Sequence, residues 1–181
     1  DIAAMGVGGL LKEIPTRPQP RQAVKKKPRQ PIVDILLLAA GASSRMEGCD
    51  KLMEDVDGAP LLQRTAEAAT AAHAHQVHVA LPSAKHPRTA ALDGLDVQTV
   101  IVADAAKGMA ASIRSCLRAV ESDVDAIIVA FADMPDVTAS HYDALIDAFS
   151  KEKAQTIVRA TTADGRPGHP VLFGREFFEE L

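Results

Sequence analysis

"LLLAAGASSRMEGCDKL", residues Leu36–Leu52, decides how the chain is read. It contains the end of a near-continuous apolar run, Ile32–Ala40, interrupted only by Asp34. A strand apolar on both of its faces is one covered on both sides, as in a parallel sheet between helical layers. The run breaks at Gly41 into Ala42, Ser43 and Ser44, and two cations follow, Arg45 and Lys51. Small side chains let a backbone approach a ligand closely, and turning amides can face an anion. Positive side chains beside them suit a polyphosphate. An ordinary strand-to-helix turn with exposed charges has the same composition, so the loop alone leaves both readings open.

Two familiar phosphate cradles are excluded. A P-loop needs a glycine five residues after its first, followed by Lys-Ser/Thr, and Met46 stands at that place after Gly41. The dinucleotide fingerprint Gly-x-Gly-x-x-Gly would need glycine where Ser43 and Met46 stand.

Outward from this strand, strand and helix alternate. Pro60–His73 has helical apolar spacing and begins with a proline suited to the first helical position. Gln76–Pro82 reads as a strand, Pro87–Leu95 as a short helix and turn, and Val97–Ala103 as a strand. Gly108–Ser122 reads as a helix, Asp125–Asp133 as a strand, and Thr138–Glu152 as a helix with Thr138 as its cap. Ala154–Thr161 and His169–Gly174 read as strands, and a helix is expected from Arg175. The pattern predicts an α/β fold with a mostly parallel sheet and right-handed crossovers. Ligands of such sheets bind beyond the carboxyl ends of the strands. The residues to watch are therefore Gly41–Lys51, Pro82–Ser83, Asp104–Gly108 and Asp133–Pro135.

Composition narrows the function further. The 181 residues, 47% of them hydrophobic, are enough for one domain with a buried core. No run of about 18 apolar residues exists, so no membrane span is expected. Cys49 and Cys116 are too few for a disulfide framework, which fits a reducing, cytoplasmic setting. Residues 1–31 hold seven cations against Asp1 and Glu13, a balance of +5; with −4 for the whole chain, residues 32–181 carry −9. An acidic body with only 3% aromatic residues argues against a nucleic-acid surface. Pro15, Pro18, Pro20, Pro28 and Pro31 make residues 15–31 an extended, basic linker. The short apolar stretch before it reads as the end of an upstream domain, and residues 32–181 as the folded domain. The chain opens on Asp1 rather than Met, which is read as the mark of a fragment.

Single residues carry weaker signals. Asp133 ends an apolar strand, where a hard carboxylate suits Mg²⁺ bridging phosphate oxygens; Asp133-Met134-Pro135 also suits a plain turn. Gly108 and Ser112 open a helix whose amino end could face phosphate, ribose or base. His169, between Gly168 and Pro170, could touch a ligand or be a loop histidine. His73, His75 and His78 straddle a helix end and a strand, so zinc is not expected. Cys49, inside the loop after the first strand, is read as bland.

Four stretches, in order, resemble the nucleotidyltransferases that act on molybdopterin: Leu38–Leu52, Gly108–Leu117, Phe131–Thr138 and Gly165–Phe173. They match a Leu-Ala-Ala/Gly-Gly-x-Ser-x-Arg-Met…Lys-Leu loop, a Gly-Met-x-x-Ser helix start, an Asp-x-Pro turn and a Gly-His-Pro segment. The resemblance covers residues 32–181. It implies a three-layer, Rossmann-like nucleotidyltransferase fold and Mg²⁺-dependent transfer of a nucleoside monophosphate to molybdopterin, with pyrophosphate released. It also implies nucleotide contacts at Leu38, Ala40, Gly41, Ala42, Ser43, Ser44, Asp104, Gly108 and Ser112. Arg45 would hold the β/γ end, Lys51 would stabilise charge at the α-phosphate, Asp133 would hold the metal, and Gly168 and His169 would meet the acceptor. Leu38-Ala39-Ala40-Gly41 has the form that accompanies cytidylyl transfer, which favours CTP over GTP. The family continues past the equivalent of Leu181, so its second metal ligand is expected to be missing here. The tail "MGVGGLLKEIPTRPQPR" resembles the end of a molybdopterin-binding domain fused ahead of such a transferase. A molybdoenzyme would be the client. A sugar-1-phosphate nucleotidyltransferase and a non-catalytic carrier of nucleotide or molybdopterin are the alternatives.

Overall fold

A computed structural model describes residues 29–41, 50–151 and 156–181. Strand β1, Val33–Leu38, sends alternate side chains to two buried faces. Val33, Ile35 and Leu37, with Ala39 beyond them, join one apolar cluster; Leu36 and Ala40 join the other. Helices α1, Leu61–Thr70, and α3, Ala139–Lys151, cover the first face through Leu62, Ala66, Tyr142 and Leu145. Helix α2, Met109–Leu117, covers the second through Ala111, Ile113 and Cys116. These are the three layers expected of a strand apolar on both faces.

The other strands are β2 (Asp55–Val56), β3 (Ala59–Pro60), β4 (Gln76–Leu81), β5 (Gln98–Ile101), β6 (Ala126–Phe131), β7 (Ile157–Thr161) and β8 (Pro167–Gly174). Six of them form one sheet in the order β5-β4-β1-β6-β8-β7. β1 pairs in parallel with β4 and β6, and β4 with β5. β8 runs antiparallel to both β6 and β7. The mostly parallel α/β sheet is thus as the alternation predicts.

Several boundaries differ from the sequence pattern. Pro60 belongs to β3, and the helix starts at Leu61. β2 and β3 form a hairpin whose Asp57 and Gly58 take φ of 52° and 90°. Asp-Gly is the pair such a turn favours, but the helical spacing from Pro60 obscures it. α2 stops at Leu117 rather than near Ser122, because Ala119 N–H turns back to Cys116 O and Val120 N–H to Leu117 O, the tighter bonding that closes helix ends. Pro87–Leu92 and Arg175–Phe177 are 3₁₀ turns rather than α-helix. β8 starts at Pro167, two residues earlier than expected.

Asp34 is buried near the amino end of β1, and two histidines explain how. His78 Nε2 lies 2.8 Å from Asp34 Oδ2 and His75 Nδ1 lies 3.0 Å from Oδ1. The β1–β4 register makes this possible by setting Asp34 opposite Gln76 and Leu36 opposite His78. A buried carboxylate needs such partners. The hydrogen bond to Asp34 holds the His75 pKa above its ordinary 6.5, against the opposing effect of burial, with added help from the charges of Asp34, Glu121 and Asp123. A raised histidine pKa stabilises the fold fully below about 6.5, and that contribution is lost as pH rises through the folded-state value. The gap in melting temperature between the unaltered chain and His75→Gln is therefore expected to be wider at pH 6 than at pH 8. An equal gap at both would contradict this account. His73 pairs elsewhere, with Asp143 at 3.0 Å, so the three histidines do not converge.

Candidate functional site

Parallel pairing brings the carboxyl ends of β1, β4, β5 and β6 to one edge of the sheet. Leu38 stands beside Ala80 on one side and Phe131 on the other, and Leu81 beside Ile101. Ala39 N–H donates to Ala80 O, Ala132 N–H to Leu38 O and Val102 N–H to Leu81 O, so the chain leaves all four strands in register. Gly41 is exposed at this edge. A Cβ placed on it meets no atom within 4 Å, and its φ is not positive, so neither packing nor backbone conformation calls for glycine. A side chain there would occupy open space at the strand end. Ala42, Ser43, Ser44, Arg45 and Cys49 lie outside the described residues.

Lys51 and Asp133, 82 positions apart, meet at this edge, with Lys51 Nζ 3.5 Å from Asp133 Oδ2. Lys51 opens the 3₁₀ turn Lys51–Met53, and Asp133 follows β6. The approach to Asp133 is tied to α1 by the buried Thr65, whose hydroxyl lies 3.2 Å from Ala132 O. Their side chains are 46% and 51% exposed, so the pair contributes little to stability. It sets a cation beside a carboxylate in the open, where both can be re-partnered by a polyphosphate and its cation.

Arg88 is a residue that the sequence reading passed over. It is 3% exposed, in the turn after β4. Its Nε donates to Asp50 Oδ2 at 2.7 Å and its Nη2 to Asp50 Oδ1 at 2.6 Å. Its Nη1 donates to the carbonyls of Ala39 and, at 3.0 Å, Gly41. Arg88, Ala91 and Leu92 are all buried. Their spacing is that of one helical face, which was the available signal: an arginine on an apolar stripe must have partners.

The remaining candidates are spread along the same edge. Asp104 is exposed and ion-paired with Lys107 at 3.0 Å. It borders a cavity of about 470 Å³ whose lining includes Lys107, Arg114, Ser115 and Arg118 but neither Lys51 nor Asp133. Gly108 has φ 93°, a conformation glycine adopts without strain, and directly precedes α2. Ser112 is buried and Met109 is exposed. Gly168 and His169 lie on β8; the His169 ring sits 4.2 Å, centroid to centroid, from Phe131 at the end of β6, two residues before Asp133. His169 Nδ1 is buried with no hydrogen-bond partner among the described residues. The structure thus joins Lys51 with Asp133 and sets the His169 ring against Phe131, two residues before Asp133 in the chain, while Asp104 borders the cavity on the flank of α2.

Among the described residues no group of three or more His, Cys, Asp or Glu side chains is placed to hold a metal. Mg²⁺ does not require one: it commonly binds through one or two carboxylates, substrate phosphates and water. The hard, half-exposed carboxylate of Asp133 fits a cation that arrives with a triphosphate. Among the described residues no helix is long and apolar enough to cross a membrane.

The sequence profile of the MobA-like NTP transferase domain matches residues 35–181. No curated protein matches the chain. The crystal structure of Rv0371c from Mycobacterium tuberculosis H37Rv is similar, with 29% identity and a TM-score of 0.72 over 84% of this chain and 76% of that one. The same protein in complex with manganese gives 27% identity and a TM-score of 0.69 over 82% and 74%. A nucleotidyl transferase from Methanothermobacter thermautotrophicus shares the fold at 21% identity and a TM-score of 0.68 over 82% and 74%. So does a CMP:2-keto-3-deoxy-manno-octonic acid synthetase complexed with CTP, at 15% identity and 0.66 over 82% and 76%.

Proposed function

Because the chain belongs to the MobA-like NTP transferase domain family, we propose that it transfers a nucleoside monophosphate, CMP, from CTP to molybdopterin and releases pyrophosphate. The observation that carries the reading is the meeting of Lys51 and Asp133 at the carboxyl edge of the parallel strands, the edge at which Gly41 follows β1. An oxygen of the acceptor's phosphate attacks the α-phosphorus. The bond from that phosphorus to the bridging oxygen breaks, and pyrophosphate departs with the electron pair. Positioning and charge neutralisation supply most of the acceleration in such transfers.

In this reading Gly41 gives the triphosphate room at the strand end, and Lys51 carries positive charge to the α-phosphate. Arg45, with Ala42, Ser43 and Ser44, serves the β/γ end, and Leu38 and Ala40 shape the wall. Asp104, Gly108 and Ser112 serve the nucleoside. Gly168 and His169 serve the acceptor, His169 through a ring already set against Phe131. Asp133 would hold Mg²⁺, which when bound supplies charge neutralisation to the phosphate oxygens. The manganese complex of Rv0371c supports a divalent ion in this kind of fold. The choice of CTP rests on Leu38-Ala39-Ala40-Gly41. A cytoplasmic setting and a molybdoenzyme client complete the proposal.

The test is to incubate the chain with Mg²⁺, molybdopterin and each nucleoside triphosphate in turn, and to measure pyrophosphate. Release with CTP alone is the expected result. Release with a sugar 1-phosphate but not with the pterin would move the assignment to sugar-phosphate activation. Tight CTP binding without release would mark a carrier.

A further inference from the structure

We propose that Arg88 is a positioning residue of the nucleotide site: its buried guanidinium ties the end of β1 to Asp50 and so fixes where Lys51 stands. The proposal rests on the reading of Lys51 and Asp133 given above. It goes beyond that reading by assigning a role to a residue of the β4–β5 connection.

A buried cation is expensive unless its donors are satisfied, and an apolar side chain of similar volume is often as stabilising or more so. Arg88 is 3% exposed, and the acceptors it recruits among the described residues come from two separate parts of the chain. Asp50 takes the two-pronged contact, at 2.7 and 2.6 Å. The carbonyls of Ala39 and Gly41 take Nη1. A guanidinium is planar, with donors in a rigid fork, so it sets the angle as well as the distance between these acceptors, which a lysine would not.

Each acceptor leads to the site. Asp50 directly precedes Lys51, and its Oδ1 also accepts Leu52 N–H at 3.2 Å, capping the turn that carries Lys51. One carboxylate thus links the guanidinium to the orientation of that turn. Gly41 is the open residue at the strand end. In a trans peptide the carbonyl and the following N–H point in opposite directions, so binding the Ala39 carbonyl turns the Ala40 N–H away from Arg88. Among the described residues the guanidinium touches no reacting group, and it acts through Asp50 and the main chain.

The experiment uses Arg88→Lys, Arg88→Met, Asp50→Asn and the Arg88→Met/Asp50→Asn double variant. For each, CTP affinity is measured by calorimetry with Mg²⁺, kcat and KM are measured by pyrophosphate release, and the melting temperature is recorded. A misplacement of about 1 Å can cost about a hundredfold in rate. Arg88→Lys and Asp50→Asn are expected to lose at least about tenfold in kcat/KM when assayed well below their melting temperatures, with weaker CTP binding. Groups that act as one unit are not additive, so the double variant should be no worse than Arg88→Met. If Arg88→Met does not fold, Arg88→Lys and Asp50→Asn decide, since the Asp50 side chain is 24% exposed. Folded variants with unaltered affinity and kcat/KM would overturn the positioning role alone. An unaltered chain that neither binds CTP nor releases pyrophosphate would overturn the reading of the site, and the positioning role with it; one that binds CTP without release leaves the affinities of the variants to decide.

Discussion

Asp133→Asn is expected to lower pyrophosphate release by about 10²–10³-fold, the usual cost of removing one preorganised electrostatic group from an active site. The substitution keeps the shape of the side chain and removes its charge. Asp133 is about half exposed, and its ion-pair partner is Lys51, itself about half exposed. Losing an open pair of this kind costs about 0–1 kcal/mol, or at most about 4 °C in a domain of this size. Activity and stability should therefore separate, with an inactive protein that melts nearly where the unaltered chain does. Rates within a few-fold of the unaltered chain would remove Asp133 from the chemistry and leave it as a turn residue.

Leu36→Ala and Leu37→Ala are each expected to destabilise the domain by about 3 kcal/mol, within the range of about 2–5 kcal/mol for truncating a fully buried leucine. Both side chains are fully buried, yet they belong to different clusters, one beneath α2 and the other beneath α1 and α3. Denaturant melts should show two comparable losses, or a fall of about 6–12 °C in melting temperature for each. A loss at one position and near-neutrality at its neighbour would mean that one face of β1 is open, against the three-layer arrangement.

The same two leucines show why the fold was legible. Ile32–Ala40 is apolar at both parities, and only a strand between two layers can bury that pattern. The carboxyl-edge rule then singled out Lys51 and Asp133 without showing that they meet, because their 3.5 Å separation depends on the pairing of β1 with β6. Most of what the pattern hid is of one kind: charged or polar groups whose partners come from register. Asp34 lies in a strand that reads as apolar, and its histidines arrive only when β4 is placed beside β1. Arg88 sits on the buried face of its turn, but an arginine in sequence reads as solvated, and Asp50 and the Ala39 carbonyl are distant in the chain. The Asp57-Gly58 turn is local, and it was missed because the following helical pattern begins at its edge.

We propose that the edge where Gly41, Lys51 and Asp133 lie receives a triphosphate and its cation. A crystal structure of the chain with CTP and Mn²⁺ tests it most directly, because manganese is located by its anomalous scattering. The account predicts phosphates beside Gly41 and Lys51, with manganese bound to a carboxylate oxygen of Asp133. Nucleotide bound elsewhere, such as in the cavity beside Arg114 and Arg118, with Asp133 still paired to Lys51, would contradict it.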